Sequence, residues 1–308
     1  MSKKTLLFHQ DDHTCISNFL RPLWTEYFSV EVFDGSKNYN KNSCILVTNY
    51  LNTNNWYTQY VDQGYRLIID HLWDNDITAT SYKNENKLTL QAKNWAWINE
   101  ALWYLNLEYN KLTFDNNPNK FFLMPMRLHK PHRNMILSLA EPYLNDSLYS
   151  YVDKNIFLTD DIDPMSDMFQ RHINTSWYNS TCFSLVAETD ISQSTFLSEK
   201  TFKPIAFKHP FIVWGGPFTL KYLHDNKFET FDHYIDESYD TVSNNTQRLT
   251  KIITVVNDLY TQYKNNQRIF DDALTKEKLL YNYHRFYNYD LVKTMFTQEI
   301  IIPVLEFV

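Results

Sequence analysis

The stretch STFLSEKTFKPIAFKHPFIVWGGP, Ser194 to Pro217, sets a glutamate and a lysine side by side directly after a serine and ahead of an apolar run. Ser198 suits a helix N-cap, which predicts Glu199 and Lys200 in a first turn whose free N–H groups and dipole attract an anion. Lys200 adds a full positive charge at that end, and Glu199 can accept hydrogen bonds from hydroxyls of a ribose or another sugar. An ordinary Ser-capped helix with an acidic first turn has the same sequence. Pro204 removes the N–H that would bond back to residue 200, which predicts a bend or a free carbonyl.

Two further clusters belong to the same neighbourhood. In SLVAETDISQSTF, Glu188 ends an expected strand ten residues before Ser198. Ligands of open α/β sheets bind beyond the carboxyl ends of strands, so Glu188 and the Ser198 helix end are expected to border one crevice. Capping the strand or pairing with a lysine are its plainer roles. In MPMRLHKPHRNMILSLAEPYL, Arg127, His129, Lys130, His132 and Arg133 crowd the turn between a strand and its helix. Such a turn suits a diphosphate, with arginine supplying paired donors and positive charge as a leaving group departs; a solvated basic loop is the alternative. A fourth segment, FHQDDHTC, offers His9, Asp11, Asp12 and His13. Its adjacent aspartates are weak metal ligands on sequence grounds, and Asp11 or Asp12 reads as the N-cap of a following helix. No metal site is expected.

Composition narrows the classes. The 308 residues exceed most single domains, which favours two. Only four glycines occur, Gly35, Gly64, Gly215 and Gly216. A Rossmann G-x-G-x-x-G or a Walker loop cannot be assembled from them, so phosphate must be held by side chains or helix ends. The formal net charge of −7 argues against a nucleic-acid-binding protein with a basic face. Cys15, Cys44 and Cys182 are few and odd in number, as expected of free thiols in a reducing compartment. MSKKTLLFHQDDH is too short in apolar residues for a signal segment, and no apolar run is long enough to span a membrane. A cytoplasmic protein is the expectation.

Short apolar runs alternate with helical patterns, the signature of βα units and mostly parallel sheets. Strands are expected at Thr5–Phe8, Val30–Phe33, Cys44–Thr48 and Leu67–Asp70, followed by a helix carrying Trp95, Ile98, Leu102 and Leu105 on one face. The polar, proline-containing segment Glu108–Lys120 reads as a boundary. Beyond it come strands at Phe121–Pro125, Leu148–Val152, Cys182–Glu188 and Phe211–Trp214. The helices there are expected from His132 and at Ser198–Phe207, Pro217–Asn226, Asn244–Lys264 and Asp271–Phe286. The organisation is therefore a first α/β domain over 1–118, a second over 119–288, and a C-terminal helix over 289–308 that packs back on the first.

The order of RLHKPHRNMILSLAEPYLNDSLYSY, SLVAETD and LSEKTFKPIAFKHPFIVWGGPFTLKYLHDNKFETFDHYIDESYD resembles the donor domain of fucosyltransferase-like glycosyltransferases (family 10) and of related exostosin-like and phage-borne enzymes. These blocks cover most of Arg127–Asp240. The resemblance implies a GT-B-like pair of facing Rossmann-like domains and a nucleotide-sugar donor held by the second. In that pattern Glu188 helps hold the donor, Glu199 contacts its ribose or sugar, and Lys200 and Arg133 bind the phosphates. The family usually has a glycine before the second strand, where this chain has Lys208-His209.

The first domain then holds the acceptor and the catalytic base. GYRLIIDHLWDND resembles the family's acidic acceptor-side segment, which makes Asp70, His71 and Asp74 base candidates, with Asp70 favoured at the strand end; Asp70 and Asp74 as loop caps beside a core Trp73 fit equally. His9, Asp11 and Asp12 line the acceptor side. The expected activity is sugar transfer from a nucleotide sugar to an acceptor hydroxyl, inverting and without a metal or other cofactor, the acceptor being a glycan or a hydroxymethylated DNA base. A non-catalytic nucleotide-sugar or glycan-binding protein is the alternative.

Overall fold

The computed structural model describes residues 3–8, 20–34, 36–40, 44–49, 64–70, 82–83, 86–113, 117–158, 173–192 and 196–308. The chain divides into two compact units, Met1–Leu107 with Asn288–Val308, and Glu108–Tyr287.

In the first unit the described elements are β1 (Thr5–Phe8), α1 (Arg21–Thr25), β2 (Ser29–Val32), β3 (Cys44–Asn49), β4 (Arg66–Asp70), β5 (Tyr82–Lys83), β6 (Lys87–Leu90) and α2 (Trp95–Asn106). They form one sheet of order β2-β1-β3-β4-β6-β5, parallel except for the β5–β6 pair. β2 lies at one edge of this sheet and is largely exposed, while Leu6, Leu7 and Phe8 of β1 are fully buried. The order reverses between β1 and β3.

The second unit contains β7 (Lys120–Met126), α3 (Pro131–Ala140), β8 (Leu148–Tyr151), α4 (Thr175–Ser180), β9 (Thr181–Ala187), α5 (Glu199–Ala206), β10 (Phe211–Trp214), α6 (Thr219–Asp225), α7 (Asn245–Lys264) and α8 (Ala273–Phe286). Its sheet is wholly parallel, with order β10-β9-β7-β8. Every residue of β9 and β10 is buried, which explains why TCFSLVA and FIVW read as unbroken runs: a parallel strand covered on both faces has no solvent side to alternate with. Phe121 packs edge-on against Phe183 at 5.2 Å and Tyr260 at 5.1 Å, joining the sheet to α7. Phe202 of α5 stacks on Phe286 of α8 at 5.9 Å.

The segment from Glu108, within which the boundary is expected, belongs to the second unit. Tyr109 packs on Phe207 at 6.0 Å, and the Tyr283 hydroxyl donates to the Asn110 carbonyl at 2.5 Å. At the other end the chain returns to the first unit through α9 (Tyr289–Phe296), a π-helical turn (Thr297–Ile301) and α10 (Ile302–Phe307). Phe296 meets Trp24 edge-on at 5.5 Å. Glu299 accepts the Asn94 N–H at 2.8 Å and its side-chain amide at 2.5 Å, and the Arg66 guanidinium lies 4.3 Å over the Phe307 ring while donating to the Phe307 carbonyl. The expected single C-terminal helix is thus two α-helical pieces around a π turn.

The end of α5 accounts for Lys208. Lys208 has φ 50°, the left-handed region that glycine adopts without penalty. The His209 N–H reaches the Pro204 carbonyl at 2.9 Å and the Lys208 N–H the Ile205 carbonyl at 3.4 Å, the paired bonds of a Schellman cap. A lysine is held there with its ammonium 4.5 Å over the Tyr283 ring, an attraction that offsets part of the strain.

Candidate donor-binding site

In the second sheet β7 leads to β8 on one side, whereas β9 and β10 lie on the other. The order therefore reverses between β7 and β9, and the carboxyl ends of these two strands flank the place where open α/β sheets hold ligands. The residues that follow them are the turn into α3, with His132 and Arg133, and Glu188-Thr189.

Glu188 is fully buried and its carboxylate is used within the chain. One oxygen accepts the Ser198 N–H at 3.0 Å and the Thr201 hydroxyl at 2.6 Å. The other accepts the Ser198 hydroxyl at 2.5 Å and the Thr189 N–H at 3.3 Å. Glu188 therefore ties the end of β9 to the start of α5, and its geometry is that of a positioning group with no oxygen turned outward. Ser198 is the expected N-cap: its Oγ accepts the Lys200 N–H at 3.3 Å.

Lys200 and Glu199 stand in the first turn of α5, with side chains 18% and 14% exposed. Lys200 Nζ lies 2.7 Å from Glu199 Oε1 and donates to Thr189 Oγ1 at 3.1 Å. Burial alone would raise the Glu199 pKa; the charges of Lys200 and Lys203 and the hydrogen bond from Lys200 outweigh it and bring the carboxyl down to about 2. Glu199 is thus an ionised acceptor beside a cation at a helix start.

Arg133 comes to the same point from α3. It is only 2% exposed, and it donates from Nη1 to the Leu128 carbonyl at 2.8 Å and from Nη2 to Thr189 Oγ1 at 3.2 Å. Burial lowers its pKa while Glu188 and Glu199 oppose the shift, and an arginine remains charged under such conditions. Arg133 lies beneath the carboxyl edge, and its charge reaches that edge beside Thr189.

His132 supports the floor. Its Nε2 lies 2.9 Å from the Glu188 carbonyl oxygen, and since a carbonyl only accepts, Nε2 carries the proton. The ring meets Trp214 edge-on at 5.6 Å. Burial holds the His132 pKa below the usual imidazole value against the opposing backbone bond, so the ring is neutral near pH 7. Arg127 directly follows β7, where its carbonyl accepts the Asp153 N–H at 3.2 Å. The Asp153 carboxylate in turn takes the His129 N–H at 2.5 Å, so the basic turn is a braced segment.

Two residues outside the expected set complete the arrangement. Thr189 receives both Lys200 and Arg133. Arg248 of α7, 1% exposed, donates to the carbonyls of Gly215 at 3.1 Å, Ile191 at 3.1 Å and Val242 at 2.5 Å, and to Asn245 Oδ1 at 2.5 Å. It ties together the loops that leave β9 and β10. Gly215 is required in the second of these loops, because a Cβ there would fall 2.6 Å from Thr219 Oγ1.

The acceptor-side expectations lie largely elsewhere. The backbone of Asp70 ends β4, in register with Asn49 of β3 and Leu90 of β6. His71, Asp74, His9, Asp11 and Asp12 lie outside the described residues. Among the described residues no helix is long and apolar enough to cross a membrane.

No family model matches the chain, and no curated protein matches it. Among solved structures it is similar to a crystal structure of an alpha1,3-fucosyltransferase, with 10% sequence identity over 95% of this chain and 92% of that one, at a TM-score of 0.47. It is also similar to a crystal structure of an alpha1,3-fucosyltransferase with GDP-fucose, with 10% identity over 94% and 91%, at a TM-score of 0.42.

Proposed function

We propose that the protein is a glycosyltransferase that binds a nucleotide sugar at the carboxyl edge between β7 and β9 and transfers the sugar to an acceptor hydroxyl. The observation that carries this reading is the meeting of two cations from different elements, Lys200 Nζ and Arg133 Nη2, on one hydroxyl, Oγ1 of the half-buried Thr189, beside the first turn of α5. Two fixed positive charges and a helix start suit the diphosphate that leaves in such a transfer, since groups aimed at developing charge stabilise the transition state without reorganising. Glu199, ionised and partly exposed, suits a pair of ribose or sugar hydroxyls. On this reading the phosphate charge is met by side chains, so transfer proceeds without a divalent ion.

Asp70 at the end of β4 is the proposed base that takes the acceptor proton as the new bond forms, with inversion at the sugar carbon. The acceptor is proposed to be a glycan or a hydroxymethylated DNA base. The experiment is the release of nucleoside diphosphate from GDP-, UDP- and dTDP-sugars and of CMP from CMP-sugars, each with a glycan panel or hydroxymethylated DNA, in EDTA and in Mg²⁺. Acceptor-dependent release from one donor, undiminished by EDTA, is expected; absence of release from every pairing would overturn the reading.

A further inference from the structure

Thr189 is the residue on which both cations converge, and the balance of its hydrogen bonds is incomplete. A threonine hydroxyl offers two lone pairs and one proton. Ammonium and guanidinium groups only donate, so Lys200 Nζ at 3.1 Å and Arg133 Nη2 at 3.2 Å occupy Oγ1 as an acceptor twice over. The remaining hydrogen bond of Thr189 is made by its backbone N–H to Glu188 Oε2 at 3.3 Å. Among the described residues the hydroxyl proton has no acceptor. Thr189 is half-buried and lies just past the carboxyl end of β9. Two positive donors on the same oxygen withdraw electron density from it and strengthen the O–H as a donor. Beneath it, the Arg133 Nε is buried without a hydrogen-bond partner, so one donor of the guanidinium is left unused.

We propose that the Thr189 hydroxyl is itself a ligand-binding group: it donates its proton to a phosphate oxygen of the bound nucleoside diphosphate, while Lys200 and the buried Arg133 hold and polarise it. This rests on the donor-site reading above and adds to it a specific contact and a route by which Arg133 acts without touching the ligand. A phosphate oxygen is the fitting acceptor because an anionic oxygen takes a stronger hydrogen bond from a hydroxyl polarised by two cations than a neutral carbonyl does.

Calorimetric binding of inorganic pyrophosphate, UDP and GDP to the full chain tests this in the wild type and in Thr189→Val, Thr189→Ser, Thr189→Ala and Lys200→Ala. The wild type is expected to bind at least one of the three. Thr189→Ser, which keeps the hydroxyl, is expected to stay within about threefold, and Thr189→Val and Thr189→Ala to weaken binding by about tenfold or more, the effect of losing one hydrogen bond to a charged group. Val and Ala variants that bind as tightly as wild type or more tightly, while Lys200→Ala loses binding, would remove the proposed contact and leave the donor-site reading standing. Equal weakening by Ser and Val would also overturn it, since the hydroxyl would then not be what is read. If the wild type binds none of the three probes, the donor-site reading falls and the Thr189 contact with it.

Discussion

Glu188 and Ser198 are joined twice, the carboxylate accepting the Ser198 N–H at 3.0 Å and its hydroxyl at 2.5 Å, so that a strand end and a helix start ten residues apart form one rigid corner. That corner fixes where Lys200 and Glu199 point.

Removing the carboxylate is expected to affect stability and binding together. Glu188→Ala leaves the Ser198 N–H, the Ser198 hydroxyl and the Thr201 hydroxyl without their buried acceptor, a cost of roughly 3 to 5 kcal/mol. Glu188→Gln keeps one oxygen and is expected to cost about half as much. Urea unfolding measures both; a Gln variant as stable as wild type would show that the corner is held by packing instead.

Arg248 is expected to be intolerant of lysine. Lys offers one ammonium where the guanidinium reaches the carbonyls of Gly215, Ile191 and Val242 through separate nitrogens. Arg248→Lys is expected to lower stability by at least about 2 kcal/mol, because buried carbonyls lose charge-assisted bonds. A thermal melt within 1 °C of wild type would contradict this. The same variant is expected to weaken nucleotide binding, since Arg248 holds the loops after β9 and β10.

Glu237 gives the protein a pH dependence of a particular sign. Its carboxylate accepts the Thr230 hydroxyl at 2.6 Å and the Phe231 N–H at 2.7 Å, yet burial pushes its pKa up to about 7, with Asp232 adding to the rise. A carboxyl whose folded pKa lies above its unfolded value of 4.5 binds more protons in the native state between those two values. Stability therefore falls as pH rises from about 4.5 to 7, by at most about 3 kcal/mol, and is flat above. Glu199 has the opposite sign, and its stabilisation is lost only as pH falls from 4.5 toward 2. Unfolding free energies of wild type and Glu237→Gln across pH 4.5 to 8 distinguish the contributions: the variant is expected to lose the downward slope.

Asp70→Asn separates chemistry from binding. Loss of a general base is expected to reduce transfer by a factor of about 10² or more while nucleotide affinity stays unchanged. Unaltered transfer would move the base elsewhere; absence of transfer in the wild type, with binding retained, would favour a non-catalytic nucleotide-sugar-binding protein.

Some of this was legible in the chain and some was not, for physical reasons that differ by residue. The Ser198 cap is written locally: Ser-Glu-Lys ahead of an amphipathic run admits few other beginnings, and the short apolar runs of β9 and β10 fit strands of a sheet covered on both faces. The roles of Thr189 and Arg133 depend on β7 and β9 being neighbours, which is a property of strand order and leaves no mark in either segment. Arg133, expected in a basic turn that reads equally as a solvated loop, is buried. Arg248 sits in a helix where an arginine ordinarily faces water, and its partners are backbone carbonyls that no side-chain pattern reveals. The two-residue strand β5 is too short to carry a period.

The most direct measurement is calorimetric titration of GDP-, UDP-, CMP- and dTDP-sugars into the wild type and Lys200→Ala, with and without Mg²⁺. Selective binding of one nucleotide, unaffected by the metal and weakened about tenfold to a hundredfold by the substitution, is the predicted result. Binding that is unchanged in Lys200→Ala, or no binding of any nucleotide at millimolar concentration, would contradict a donor site at the start of α5.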